Sequence, residues 1–336
     1  MPLKDILRSP LGFGAAPLGN MFRAIPEAEA LATVEAAWTD GIRYFDNAPF
    51  YGAGLAEIRM GSALSEKPRA DYVISTKVGR LVLDELEDRG DSGFGDNGVF
   101  KYGRPKKVVD DYSADATLKS IEGSLERLKT DRIDIVWVHD VAQDFYGDAW
   151  LSVFESARLG AFRVLDRMRD EGVIRAWGLG VNRVEPIELL LDLKEPRPDG
   201  FLLAGRYTLL DHDRALQRVM PAVADRGLGV VVGGPYSSGV LVGGPNFEYA
   251  PASAEILARV ARLKNIADRY GISMKAAGLH FALANPAVVG VIPGASRPER
   301  IAEDRAAFVE STPPEFWRDL VKANLVNPAA PLPLND

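Results

Sequence analysis

The chain has 336 residues, and its 40 Lys and Arg against 47 Asp and Glu give a formal charge of −7. With 47% apolar and 26% charged residues it has the make-up of a globular protein with ample core, which excludes disordered and collagen-like chains. The net acidity without a basic block argues against a nucleic-acid groove or a membrane surface as partner, and the lack of Cys excludes disulfides, thiolate metal sites and a cysteine nucleophile.

The opening Met1-Pro2-Leu3-Lys4-Asp5-Ile6 lacks the apolar run of a signal peptide, and no stretch approaches about 18 uninterrupted apolar residues. A cytoplasmic protein is expected. Along the chain, short apolar runs alternate with amphipathic stretches of helical period. Residues 11–16 form the first candidate strand, followed by a helix over 27–40 with Leu31, Val34 and Trp38 on one face, stopped by Gly41. A strand over 42–45 ends in Asp46, a helix spans 55–64, and a strand over 72–76 ends at Lys77.

Residues 79–112 are Gly- and Asp-rich and weakly periodic, with Phe94, Phe100 and Tyr102 interspersed, and read as a long functional loop. Ser113 then caps a helix with Leu118, Ile121, Leu125 and Leu128 on one face. The continuously apolar strand 133–138 ends at His139. Helix 162–171, strand 173–181, helix 184–193, strand 201–203, helix 214–225 and strand 228–232 continue the pattern. A Gly/Pro-rich loop over 233–251 leads to helices starting near Ser253 and Ser273, an eighth strand over 288–292, and a last helix. That helix opens with Ser296-Arg297-Pro298-Glu299, which reads as a capping box with Pro in the first turn. Residues 328–336 read as a surface tail.

Eight strand–helix units, with strands apolar on both faces, predict a parallel sheet covered by helices and closed as a single-domain (β/α)8 TIM barrel spanning 1–336. A doubly wound sheet is the rival. It needs a Gly-rich phosphate turn, and Gly12-Phe13-Gly14-Ala15-Ala16-Pro17 places Pro where the third Gly belongs. In a barrel the active groups sit at the C-terminal strand ends, where Asp46, Tyr51, Lys77 and His139 fall. Singly, each has an ordinary explanation: a turn-shaping Asp, a solvated Lys, a His paired at the surface with Asp140. Together they fit one chemistry, because neighbouring strands end on a common rim.

The segments Phe45-Asp46-Asn47-Ala48-Pro49-Phe50-Tyr51-Gly52, Ile74-Ser75-Thr76-Lys77-Val78, Asp134-Ile135-Val136-Trp137-Val138-His139, Gly178-Leu179-Gly180-Val181-Asn182 and Ile292-Pro293-Gly294-Ala295-Ser296 resemble, in order, motifs of the aldo-keto reductase superfamily. Within it, the openings Leu11-Gly12-Phe13-Gly14 and Gly233-Gly234-Pro235-Tyr236 look most like the D-threo-aldose 1-dehydrogenase branch, which includes L-fucose and L-galactose dehydrogenases and to which pyridoxal 4-dehydrogenase is similar.

The resemblance implies an NAD(P)-dependent oxidoreductase that turns the anomeric hydroxyl of a sugar or pyridoxal hemiacetal into a lactone. An unperturbed Tyr, with a pKa of about 10, is a poor base near neutrality, so Lys77 is expected to lower the Tyr51 pKa while Asp46 keeps Lys77 charged. His139 would hydrogen-bond the reacting oxygen.

By the same resemblance Asn182, Gly233, Pro235, Gly239, Gly294, Ala295, Ser296, Arg300, Glu303 and Asp304 would bind the cofactor. Ala204 and Gly233 stand where the family often has Gln and a stacking aromatic, and Val181 where Ser is common. Gly294 replaces a side chain often basic in NADP-preferring relatives, which favours NAD, while Arg300 keeps NADP open. Phe22, Phe50 and Trp150 are candidate substrate-pocket residues. No metal is expected, and His212 and His280 read as capping or packing residues. The partner expected is a small molecule, with neither nucleic acid nor membrane. Two other readings are a broad NADPH-dependent aldehyde or ketone reductase and a cofactor-binding regulatory subunit.

Overall fold

A computed structural model describes residues 1–87 and 98–334; Phe94 lies outside the described residues. Eight parallel strands form one sheet in chain order: β1 (Phe13–Gly14), β2 (Tyr44–Asp46), β3 (Val73–Val78), β4 (Ile135–His139), β5 (Ala176–Val181), β6 (Gly200–Ala204), β7 (Gly229–Gly233) and β8 (Val288–Ile292). Parallel bridges from Leu11 to Val291 and from Gly14 to Gly294 join the first strand to the last, closing the (β/α)8 barrel. The register sets Lys77 beside Trp137, His139 beside Gly180 and Ala204 beside Gly233, so polar residues at the C-terminal strand ends share one rim.

The strands are apolar on both faces because each face is covered. Outward residues such as Phe45, Val136, Val138 and Phe201 join the large core beneath the helices, while Tyr44, Val73, Ile135, Trp137, Leu202, Val231 and Ile292 fill the barrel. The inward side is rich in glycine because Tyr44 and Trp137 occupy the volume. A Cβ on Gly12 would stand 2.7 Å from the Tyr44 ring and 2.9 Å from Ile292 Cγ2.

A short helix, Leu3–Leu7, not expected from the sequence, covers the other end of the barrel. Leu3, Ile6 and Leu7 belong to the same buried cluster as Tyr44 and Trp137, and Leu3 lies against Gly200 and Gly229 while Leu7 lies against Gly290.

Four readings change. The long loop over 79–112 contains an antiparallel hairpin, Arg80–Leu86 with Lys106–Asp110, whose ladder pairs residues distant in sequence. The helix expected over 214–225 is two, Asp213–Gln217 and Val219–Asp225, because Pro221 has no N–H to donate and its ring crowds the Gln217 carbonyl. Arg297, not Ser296, is the N-cap of helix Pro298–Val309, and the Ser296 hydroxyl faces the Arg23 guanidinium instead. At the C-terminal end, Ala330 is buried and Leu332 packs on the core, so this part of the segment expected as a tail lies against the body.

Packing inside the barrel gives a direct test. Gly12→Ala places a methyl against Tyr44 and Ile292 and should cost about 1–3 kcal/mol, read from equilibrium urea unfolding.

Candidate active site

At the C-terminal rim, Lys77 Nζ donates to Asp46 Oδ2 at 2.7 Å and to the Asn47 carbonyl at 2.7 Å. Ser75 Oγ donates to the other Asp46 oxygen at 2.6 Å and lies 2.9 Å from Tyr44 Oη. Lys77 and Asp46 are each about 1% exposed, so this is a desolvated ion pair whose carboxylate is bonded at both oxygens.

Tyr51 follows β2 on a turn that can form only because Gly52, at φ +65°, packs on Gly19. A Cβ there would be 2.3 Å from the Gly19 carbonyl oxygen. The turn brings the Tyr51 ring over Lys77, with Nζ 4.8 Å from its centroid. Phe100 stacks on the same ring at 5.7 Å, and His139 meets it edge-on at 6.0 Å. The structure therefore brings Asp46, Tyr51, Lys77 and His139 together.

The electrostatics differ from the sequence expectation. Burial, with Asp46 and Asp140 nearby, pushes the Tyr51 phenol well above its ordinary value. The net shift is upward, opposite to the lowering expected, and the Lys77 ammonium is paired with Asp46 at hydrogen-bond distance. Burial and the Arg80 and Lys77 cations hold His139 well below the usual histidine range, so its imidazole is neutral at physiological pH.

His139 and Asp140 are not a surface pair. Both are buried, with Nε2 of His139 3.3 Å from Asp140 Oδ2. Arg80, on the hairpin strand Arg80–Leu86, reaches the same oxygen at 3.1 Å, its guanidinium lying 4.0 Å from the Phe50 ring centre and 4.3 Å from that of Phe145. Tyr112 Oη donates to the His139 carbonyl at 2.6 Å. Burial raises the Asp140 carboxyl from 3.8 to about 7 despite Arg80. No local pattern marks Arg80, since its partner is 60 positions on. Asp140 adjoins a strand-end residue, and that position was the available signal.

From this rim a cavity of about 870 Å³ runs past Asn182, Ala204 and the loop from Gly233 to Gly239, to Arg297, Arg300 and Glu303. Asn182, Gly233, Pro235, Gly239, Gly294, Ser296, Phe22 and Phe50 line it. Arg206, Glu248 and Tyr249, absent from the sequence-based set, line it too, with Arg206 paired to Glu248.

Three expected residues fall elsewhere. Ala295 is buried and does not line the cavity. Asp304 is buried beneath it, accepting from Tyr236 Oη at 2.8 Å and from Lys275 Nζ at 2.6 Å. Trp150 opens helix Trp150–Leu159 and packs edge-on against Phe154, and it is not among the residues that line the cavity. Its aromatic character serves a helix contact that no local pattern separates from a pocket. His212 is bonded to the Thr208 carbonyl and His280 to Thr312 and the Phe308 carbonyl.

The residues present fit a dinucleotide. The long cavity is polar at one end and cationic at the other, and Gly233 leaves an open floor where a Cβ would stand 3.2 Å from Ala204 and Leu202. Asp144 Oδ1, beside Asn182 on the cavity wall, is buried without a partner. Among the described residues no cluster of His, Asp and Glu could hold a metal ion, and no helix is long and apolar enough to cross a membrane.

Residues 10–324 match the model of the Aldo/keto reductase family. The chain is 38% identical over 335 residues to a pyridoxal 4-dehydrogenase of Microbacterium luteolum, covering 94% of each chain. It is 35% identical over 321 residues to a D-threo-aldose 1-dehydrogenase of a Pseudomonas species, again covering 94% of each. A solved aldo-keto reductase of Bacillus halodurans, in its holo form, aligns with a TM-score of 0.67 at 25% identity, covering 95% of this chain and 92% of that one.

Two outcomes follow from the charges at the rim. Lys77→Met strands the Asp46 carboxylate and should destabilise the fold by about 3–5 kcal/mol, with part recovered in the Lys77→Met, Asp46→Asn double variant. For Asp140, the native state holds its proton more tightly than the unfolded chain, so its contribution to stability is full below pH 3.8 and is lost as pH rises through about 7. The stability of the wild type minus that of Asp140→Asn should therefore fall between those limits and level off above them, as followed by denaturant unfolding at a series of pH values.

Proposed function

The chain belongs to the aldo/keto reductase family and is an NAD(P)-dependent oxidoreductase; on that footing we propose that it oxidises the anomeric hydroxyl of a cyclic hemiacetal, of the D-threo-aldose (L-fucose) or pyridoxal type, to a lactone with NAD as the favoured acceptor. The observation that supports this most is the meeting of a half-buried phenol and a neutral imidazole on the wall of the long cavity. The relatives named for pyridoxal and for D-threo-aldoses act on compounds that close to hemiacetals, so one site serves both.

Oxidation removes a hydride from C1 and a proton from its hydroxyl. A bound nicotinamide supplies the hydride acceptor, and Asn182, Gly233, Pro235, Gly239, Gly294, Ser296, Arg300 and Glu303 are the residues that would hold the dinucleotide along the cavity. Tyr51 Oη takes the hydroxyl proton. The neutral His139 orients the same oxygen by a hydrogen bond and, being uncharged, does not compete with Tyr51 by donating a full positive charge. Lys77, bound to Asp46 and Asn47, lies against the Tyr51 ring with Nζ 4.8 Å from its centroid, the place from which its ammonium would stabilise the phenolate once formed.

The preference for NAD rests on the adenosine end. Lys275, on the cavity wall, is engaged by Glu303 at 2.9 Å and Asp304 at 2.6 Å, so its charge is committed before a 2′-phosphate could use it. Gly294 offers no basic side chain there. Arg300 is the cation through which NADP would be used instead.

Incubation with NAD and a panel of aldoses and pyridoxal, followed by NADH absorbance, tests the reading. Turnover of at least one hemiacetal is expected. NADPH-dependent aldehyde reduction with no hemiacetal oxidation would overturn it. Tyr51→Phe should lower kcat by about 10²–10⁴-fold while cofactor affinity, read by fluorescence titration, holds. Because the Tyr51 phenol is raised above its ordinary value, the wild-type oxidation rate should keep climbing through the alkaline range; a pH-independent chemical step would count against Tyr51 as the base.

A further inference from the structure

Asp140 does more at the cavity wall than balance Arg80. Its Oδ2 faces both Arg80, at 3.1 Å, and His139 Nε2, at 3.3 Å, while Oδ1 carries neither of these contacts. The residue sits at φ +52°, a strained conformation for a side-chain-bearing residue, immediately after β4, with its N–H donated to the Gly180 carbonyl at 2.9 Å. Arg80 is held against the carboxylate by the Phe50 and Phe145 rings and is also 3.5 Å from Asp110. A carboxylate clamped at one oxygen, buried and part of the cavity lining is a fixed acceptor with spare capacity.

We propose that Asp140 is a specificity-determining residue that reads substrate hydroxyls: its carboxylate accepts hydrogen bonds from ring hydroxyls of a polyhydroxylated hemiacetal and so favours sugars over hydroxyl-poor substrates. This rests on the hemiacetal reading above. When the anomeric oxygen lies between Tyr51 and His139, the hydroxyl on the neighbouring ring carbon is within hydrogen-bond length of it, and a group 3.3 Å from His139 Nε2 is placed to meet that hydroxyl. The aromatic rings of Phe50, Tyr51 and Phe100 offer the apolar face that a sugar ring also presents. A buried acceptor left unmatched is costly, so a substrate lacking the hydroxyl is penalised as well as unrewarded. The raised Asp140 carboxyl agrees with a charge that the protein alone does not fully compensate.

The test compares L-fucose and L-galactose with 2-hydroxytetrahydropyran, a hemiacetal with no other hydroxyl, in the wild type, Asp140→Asn and Asp140→Ala. Asp140→Asn keeps the shape of the side chain and serves if the alanine variant does not fold. We expect the ratio of kcat/KM for sugar over 2-hydroxytetrahydropyran to collapse by about tenfold or more, mainly through KM. Equal losses on all substrates, carried in kcat, would mean that Asp140 acts only through His139 or the fold, and would overturn the inference; an unchanged ratio would do the same.

Saturation-transfer NMR with the NADH-loaded protein separates this inference from the functional reading. If the wild type oxidises no hemiacetal, the functional reading fails. Sugar binding that is present in the wild type and lost in Asp140→Asn still supports hydroxyl recognition, while equal binding in both, or none in the wild type, refutes it.

Discussion

A lysine ammonium and an aspartate carboxylate, both taken out of water, are tolerable only because they lie at 2.7 Å and because Ser75 and the Asn47 carbonyl satisfy what remains. That constraint organises the rim. The two charges stand on adjacent strands whose register is fixed by the ladder, so any slip of β3 against β2 would leave each of them alone. Above them, burial together with the Asp46 carboxylate holds the Tyr51 phenol up, and burial together with the Arg80 and Lys77 cations holds the His139 imidazole down, so both remain in their uncharged forms. Protons can then be exchanged with substrate at a site where neither group is already committed to a charge.

The same economy recurs one strand further round. Arg80 and Asp140 form a second buried pair beside His139, but this one is unequal: the arginine is enclosed by aromatic rings, whereas the carboxylate borders the open cavity. Both pairs border the cavity, but the Asp46 carboxylate is bonded at both oxygens, by Lys77 and Ser75, whereas the Asp140 contacts fall on one.

Much of this was legible in the residues. Asp46, Lys77 and His139 each end an apolar run, and a polar group in that place breaks a pattern that the fold otherwise obeys, so it stands out without any coordinates. The (β/α)8 architecture followed from the same alternation. What could not be read were relations made through space. The hairpin from Arg80 needs a partner strand more than 20 residues on, in a stretch whose weak periodicity hides the ladder. Asp140 looked like half of a surface pair because burial is set by Arg80 and by the loops above it. The raised Tyr51 phenol was not legible either, because the burial and the Asp140 carboxylate that push it up meet it only through space. Trp150 shows the reverse error, an aromatic in a promising place whose neighbour, Phe154, is one helical turn away.

The little helix that covers the far end of the barrel has a consequence for how the chain comes into being. Leu3 and Leu7 rest against glycines at positions 200, 229 and 290, none of which has been made when these leucines leave the ribosome. The segment is thus housed long after it is made, and its leucines stay unburied until the last barrel strand has been synthesised.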